Sequence, residues 1–279
     1  MMKWLWLFTG FTAVLFAATW IVRRRIRAAQ AGWPAWVCYQ ISVLHRLLFS
    51  HCRQNNACTI PETGPAIIVA NHTSPVDPVL LWTRHFSSFQ HPRLRVIGYL
   101  MAREYYQSPR LINWICRAMQ CIPVDRNGRD MQPLRQALRR LQDGQLLGLF
   151  PEGRLNATSP DTQLLPGDPG VAWLALKARV PVIPVFIHNA PRSASMSLCF
   201  FLPTRARLTY GQPLDLSRWN GPGLAAKDLA DATDFIMQSL AALGGIDFTP
   251  VPRPSATGTQ PSLTTPQTSS NDPSSTSVT

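Results

Sequence analysis

At 279 residues the chain has room for one generous domain with appendages and a sizeable core. Its formal net charge is +12, from 27 Lys and Arg against 15 Asp and Glu, so composition calls for an acidic partner: nucleic acid, an anionic membrane surface or a phosphorylated substrate. The six cysteines (Cys38, Cys52, Cys58, Cys116, Cys121, Cys199) form no C-x-x-C pair and no zinc-like grouping with histidine, which argues for free thiols and against a metal site.

The first segment favours the membrane among those partners. Trp4 to Val22 carries no charge, and nineteen helical residues span roughly 28 Å, close to the ~30 Å hydrocarbon core. Trp4, Trp6 and Trp20 lie near its ends, where indoles favour the interface. Arg23, Arg24, Arg25 and Arg27 follow at once and outweigh Lys3, so the positive-inside rule places the rest of the chain in the cytoplasm. A cleavable signal peptide would carry its charge before the apolar run. The expectation is a single-pass anchor, residues 1–30, in the inner (cytoplasmic) membrane. Trp33 to Phe49 is a second apolar segment, with Trp36, Val37, Ile41, Leu44, Leu47 and Leu48 at helical spacings. It is too short and too polar to span, and over 31–57 it reads either as an interfacial helix or as one packed on the domain.

From 58 to 248 short apolar runs alternate with helical patterns, which predicts an α/β domain: a mixed, mostly parallel central sheet flanked by helices. Strands are expected at Ala66–Ala70, Leu94–Leu100, Cys121–Val124, Gln145–Phe150 and Val182–Ile187, with an edge strand at Arg205–Tyr210. Helices are expected near Val79–Arg84, Leu111–Arg117, Met131–Gln142, Val171–Ala178 and Leu224–Leu243. Arg135, Arg139 and Arg140 mark a solvated or membrane-facing side of the third of these. From 249 onward Pro, Ser, Thr, Gln and Gly dominate, and such a tail cannot bury enough surface to offset its ordering entropy.

Polar residues directly follow several of these strands. Val69-Ala70-Asn71-His72 runs into a Pro-containing turn that ends at Asp77, so Asp77 could hold one imidazole nitrogen and leave the other for a substrate proton. Taken alone, that pair also fits an ordinary structural hydrogen bond. Ile122-Pro123-Val124-Asp125-Arg126 ends in an arginine, and Leu149-Phe150-Pro151-Glu152-Gly153-Arg154 in a carboxylate, a glycine and a second arginine. Converging strand ends would bring Arg126 and Arg154 beside His72, and two guanidinium groups near a base suit a phosphate-bearing alcohol. Ser74 invites a hydrolase reading, but no G-x-S-x-G elbow is present.

In this order and at these spacings the motifs closely resemble the glycerolipid acyltransferases, specifically the bacterial 1-acylglycerol-3-phosphate acyltransferase family. Asn71, His72 and Asp77 match the family's Asn-His-x-x-x-x-Asp. Val124-Asp125-Arg126 matches its second motif, Phe150 to Gly153 its Phe-Pro-Glu-Gly, and Val180 to Val185 its Val-Pro-Val-Ile-Pro-Val. The resemblance covers roughly 58–215. It implies transfer of a fatty acyl chain from acyl-CoA or acyl carrier protein to a membrane lysophospholipid, lysophosphatidic acid first, with no cofactor, no metal and no nucleic acid. His72 would be the general base and Asp77 its orienting partner, with no covalent acyl-enzyme; Asn71, Arg126, Glu152, Gly153 and Arg154 would form the substrate-binding set. Some positions depart from the family pattern. Gln120 stands where glycine is frequent, Arg154 follows Gly153 with no Thr or Ser between, Asp168 replaces a common lysine, and the loop Asn156–Pro166 is long. These departures bear on the acceptor's identity more than on the catalytic step.

Overall fold

Five residues, Ala66–Ala70, form the strand that the domain is built around. Each is buried, and neighbours point to opposite sides. Ala66, Ile68 and Ala70 join one hydrophobic cluster, while Ile67 and Val69 join another on the far face. A strand covered on both sides reads as a continuous apolar run, which is why it was visible in the sequence. The computed structural model describes residues 2–85, 94–107, 110–125, 130–156, 162–193, 195–219, 221 and 223–250, the side chains at 2–9, 84, 85 and 196 excepted.

In chain order the elements are α1 (Met2–Ala28), α2 (Gly32–Phe49), β1 (Arg53–Gln54), β2 (Ala66–Ala70), α3 (Asp77–His85), β3 (Ile97–Ala102), α4 (Arg103–Tyr106), α5 (Arg110–Ala118), β4 (Ile122–Val124), α6 (Gln132–Gln142), β5 (Leu146–Leu149), α7 (Pro169–Ala178), β6 (Val182–His188), α8 (Met196–Cys199), β7 (Arg207–Tyr210) and α9 (Ala226–Gly244). The seven strands form one sheet in the order β1-β7-β6-β2-β5-β3-β4. From β6 to β4 every pairing is parallel, β7 runs antiparallel to β6, and β1 pairs parallel with β7. The mixed, mostly parallel sheet is therefore as expected, but β7 is not the edge: the two-residue β1 covers it. Helices α2, α3 and α5 pack on one face, and α6, α7 and α9 on the other. The chain leaves β2 towards β5 and β3 on one side and returns as β6 on the other, so the carboxyl end of β2 lies at a topological switch point.

α2 packs on the domain, one of the two alternatives left open above. Ala35 and Cys38 are buried, and Tyr39 packs edge-on against Trp82 of α3 at 5.3 Å. Ile41, Leu44, Leu47 and Leu48 stay exposed on the outer side. The expected membrane span is a different matter. α1 is one continuous helix, but among the described residues no helix is long and apolar enough to cross a membrane. The tail beyond residue 250 lies outside the described residues.

Gln120 explains one of the departures. Cys121 N–H bonds Cys116 O at 2.9 Å and Gln120 N–H bonds Arg117 O at 3.0 Å, the paired pattern of a Schellman stop at the end of α5. Gln120 is the left-handed residue, φ 52°, where glycine carries no side-chain penalty. Gln120→Gly should therefore stabilise the fold by about 0.5 kcal/mol, the relief of strain being partly offset by a freer unfolded chain. Thermal unfolding should show a rise of about 1–2 °C, and a fall would mean that the glutamine side chain contributes packing that outweighs the strain. The carbonyl of Gln120 also accepts a hydrogen bond from Arg140, which removes that arginine from the solvated set expected on α6. Arg135 and Arg139 are exposed there, on the layer opposite α2.

Candidate active site

The carboxyl end of β2 delivers Asn71 and His72 into one spot, and each is fixed by a different neighbour. Asn71 is fully buried; its amide donates to Ile187 O at 3.0 Å and accepts from Ile187 N–H at 2.7 Å, which ties the end of β2 to β6. After the turn, Asp77 opens α3 and is fully buried. Its Oδ2 accepts three hydrogen bonds, from His72 Nδ1 at 3.1 Å and from the backbone N–H groups of Thr73 and Ser74 at 2.8 Å each. All three donors converge on one oxygen; Oδ1 is buried with no hydrogen-bond partner among the described residues. A carboxylate so placed fixes Nδ1 as the protonated nitrogen and leaves Nε2 with the lone pair. The turn is itself pinned by Ser74, whose hydroxyl donates to Pro191 O at 2.6 Å and accepts from Val76 N–H. That contact explains a serine beside the histidine without a nucleophile's role.

The segment after β5 holds His72 from the other side. Glu152 Oε1 accepts the backbone N–H of His72 at 2.8 Å, Oε2 accepts Leu165 N–H at 2.9 Å, and Asn156 N–H bonds the carbonyl of His72 at 2.7 Å. Burial pushes the Glu152 carboxyl above its ordinary range, although both amide bonds and the nearby imidazole pull it down. Gly153 follows in the left-handed region, φ 66°, which the tight turn after β5 requires. Arg154 is exposed, and Arg126 lies outside the described residues, so the structure brings together Asn71, His72, Asp77, Glu152 and Gly153. Asp125, just before Arg126, forms a two-point ion pair with Arg103 at the start of α4. Asp168 caps α7 by accepting Gly170 N–H at 2.7 Å, a helix-start role that a lysine could not fill.

Two aromatic residues complete the setting and were not singled out as site residues. Phe150 lies flat on the His72 ring, centroids 4.0 Å apart and planes 13° apart, and Tyr99 stacks on Phe150 at 5.6 Å and 10°. Phe150 belongs to a motif that was legible, but Tyr99 is an ordinary strand residue until β3 is placed beside β5. The stack depends on a glycine. Gly148 sits directly across from Tyr99 in the β3–β5 register, and a Cβ built on it would lie 2.2 Å from the tyrosine ring. Gly148→Ala should cost about 1–3 kcal/mol by overpacking. It should also lower turnover, because the displaced ring pushes through Phe150 onto His72. Urea unfolding and an activity assay read the two effects separately, and unchanged stability would show that the Tyr99 ring has room to move aside.

The site can therefore present a neutral imidazole with a fixed tautomer, restrained at the ring by Asp77 and Phe150 and at the backbone by Glu152 and Asn156. Such a group takes a proton from a hydroxyl or amine and returns it to a leaving group. Comparison with known proteins points the same way. A family model described as Acyltransferase matches residues 51–188. An N-acylphosphatidylethanolamine synthase of Arabidopsis thaliana is 32% identical over 130 residues, which are 46% of this chain and 44% of that protein, so the chain spans less than half of that relative's length. A 1-acyl-sn-glycerol-3-phosphate acyltransferase of Bacillus subtilis (strain 168) is 24% identical over 159 residues, 57% of this chain and 71% of that one. The crystal structure of the 1-acyl-sn-glycerophosphate acyltransferase of Thermotoga maritima has the same fold, with a TM-score of 0.55 at 20% identity over 76% of this chain and 78% of that one. With the motif order and the family model in agreement, the chain belongs to the glycerolipid acyltransferase family.

Proposed function

We propose that the chain transfers a fatty acyl group from a thioester, on coenzyme A or acyl carrier protein, to the free hydroxyl of a lysophospholipid, with lysophosphatidic acid the leading acceptor and phosphatidic acid the product. The observation that carries this reading is the His72–Asp77 pair, 3.1 Å apart at the carboxyl end of the central strand. In the reaction the acceptor oxygen attacks the thioester carbonyl carbon while Nε2 of His72 takes the hydroxyl proton. The tetrahedral intermediate then collapses, the C–S bond breaks, and the thiolate leaves with the proton that His72 returns. No group on the enzyme is acylated.

Arg126 and Arg154 are assigned to the acceptor phosphate, with Gly153 allowing close approach of that headgroup. Asn71 and Glu152 act from behind, through the backbone positions they hold. The membrane enters through α1: Phe11, Val14, Leu15, Phe16 and Ile21 are exposed, and Arg23, Arg24, Arg25 and Arg27 follow. An anchor in the inner membrane with the domain on the cytoplasmic side accounts for both. A second acceptor class is the amine of phosphatidylethanolamine, favoured by the 32% identity to the Arabidopsis protein; the same base would serve it.

The deciding assay incubates the detergent-solubilised full chain with acyl-CoA or acyl carrier protein thioester and a panel of lysolipids and phosphatidylethanolamine. Transfer to lysophosphatidic acid supports the first reading, and N-acylation of phosphatidylethanolamine moves the acceptor. Release of free fatty acid alone makes the chain a hydrolase.

A further inference from the structure

We propose that α5 is a second bilayer-contact element, which lays its outer face into an anionic lipid surface beside α2 and brings that surface to the mouth of the site. The helix is nine residues long and carries no acidic residue. Cys116 and Ala118 are buried against the sheet, while Leu111 (66% exposed), Ile112 (38%) and Ile115 (40%) point away from it. Arg110 and Arg117 are exposed and seven residues apart, so they line one side of this stripe two turns from each other. A soluble surface has no reason to keep three large aliphatic side chains together, and a short helix with apolar residues flanked by arginines suits the boundary between acyl chains and anionic headgroups.

The stripe is not isolated. Trp114 of α5 meets Trp33 of α2, ring centroids 6.1 Å apart, and both helices pack on the same face of the sheet. The exposed Ile41, Leu44 and Leu48 of α2 therefore continue the same apolar surface. Position along the chain decides what α5 adds. β3 ends at the carboxyl edge of the sheet, α4 turns there, and Arg103 of α4 pairs with Asp125 at the end of β4. α5 starts at this corner and runs back to the start of β4, so its first turn lies at the edge where His72 emerges. A lipid acceptor could then pass from the bilayer to the base without crossing open water. This purpose rests on the lysolipid reading above, but the contact itself does not.

Crosslinking tests the contact without turnover. The full chain would carry a photo-reactive phenylalanine at position 111, 115 or, as a control on the opposite layer, 135, and be reconstituted in vesicles of phosphatidylglycerol and phosphatidylcholine. Lipid adducts are expected at 111 and 115 and not at 135. The double variant Arg110→Glu/Arg117→Glu should reduce the adduct at 115 in anionic vesicles by at least on the order of 30-fold, from about one kcal/mol for each basic residue lost, with repulsion of the two glutamates added to that. In pure phosphatidylcholine it should change little. Adducts at 111 and 115 no stronger than at 135, or adducts formed with a second protein chain, would overturn the proposal. So would an anionic-vesicle signal that ignores the charge reversal. Because all these side chains are exposed, folding is expected to survive, and an unfolding curve matching the unsubstituted chain verifies it. Absence of acyl transfer with strong adducts would sink the enzymatic reading and leave this one standing.

Discussion

His72→Ala is expected to reduce acyl transfer by on the order of 10²–10⁴-fold, the contribution of a positioned general base. The loss should fall on kcat, since the ring meets Phe150 and Asp77 and has no part in the substrate-binding set proposed here. Asp77→Asn is the sharper companion. An amide at that buried position would have to satisfy His72 Nδ1 and two backbone N–H groups with one carbonyl oxygen of lower charge. Each hydrogen bond to a charged acceptor is worth about 1.5–3 kcal/mol, so stability and activity should drop together. His72→Ala removes one of these three bonds and Asp77→Asn weakens all of them, so both should lower activity and Asp77→Asn should lower the unfolding midpoint further. Retained transfer in purified His72→Ala protein would remove the base from the mechanism.

Glu152→Gln is expected to lower kcat by roughly 10–100-fold while KM for the acceptor stays near its original value, the pattern of a misplaced catalytic group. Glu152 is buried and each carboxylate oxygen accepts a backbone N–H, from His72 and from Leu165, so its direct contacts are with the chain that carries the base. The amide retains one acceptor and turns a donor towards either His72 or Leu165, at a cost of about 1.5–3 kcal/mol for a lost charge-assisted bond. A substrate ligand would behave differently, and a rise in KM at constant kcat would assign Glu152 to the acceptor. Its raised pKa also fixes the sign of its stability contribution. The folded chain binds this proton more tightly than the unfolded one, so the ionised carboxyl costs stability above its folded pKa, and the cost fades as pH falls towards the ordinary carboxylate range. Glu152→Gln removes that dependence, so its stability deficit against the wild type should widen as the solution is acidified.

Strands such as Ala66–Ala70 and Val182–His188 were legible because burial on both sides leaves an uninterrupted apolar run, and helices such as α6 and α9 because one buried side leaves a period. Elements held by partners distant in sequence left no such trace. β1 is two residues long and exists because Arg53 and Gln54 pair with Arg207 and Leu208. Gln120 looked like a departure from a family pattern, and only its φ showed which backbone position the usual glycine serves.

The sequence by itself determined the α/β class and the order of four motifs, because local periodicity, composition and spacing are properties of neighbours along the chain. The His72–Asp77 pair belongs there too, since five residues and a turn suffice to close it. Tertiary structure decided what surrounds that pair. Glu152, proposed from its motif as a substrate ligand, is placed eighty residues away in sequence and 2.8 Å away in space, against the backbone of His72. Phe150 and Tyr99 become a stack on the imidazole only because β5 lies between β2 and β3 and carries a glycine where the tyrosine ring must pass. Strand order is set by which buried faces can be covered together, a requirement on the whole molecule that no local stretch of sequence encodes.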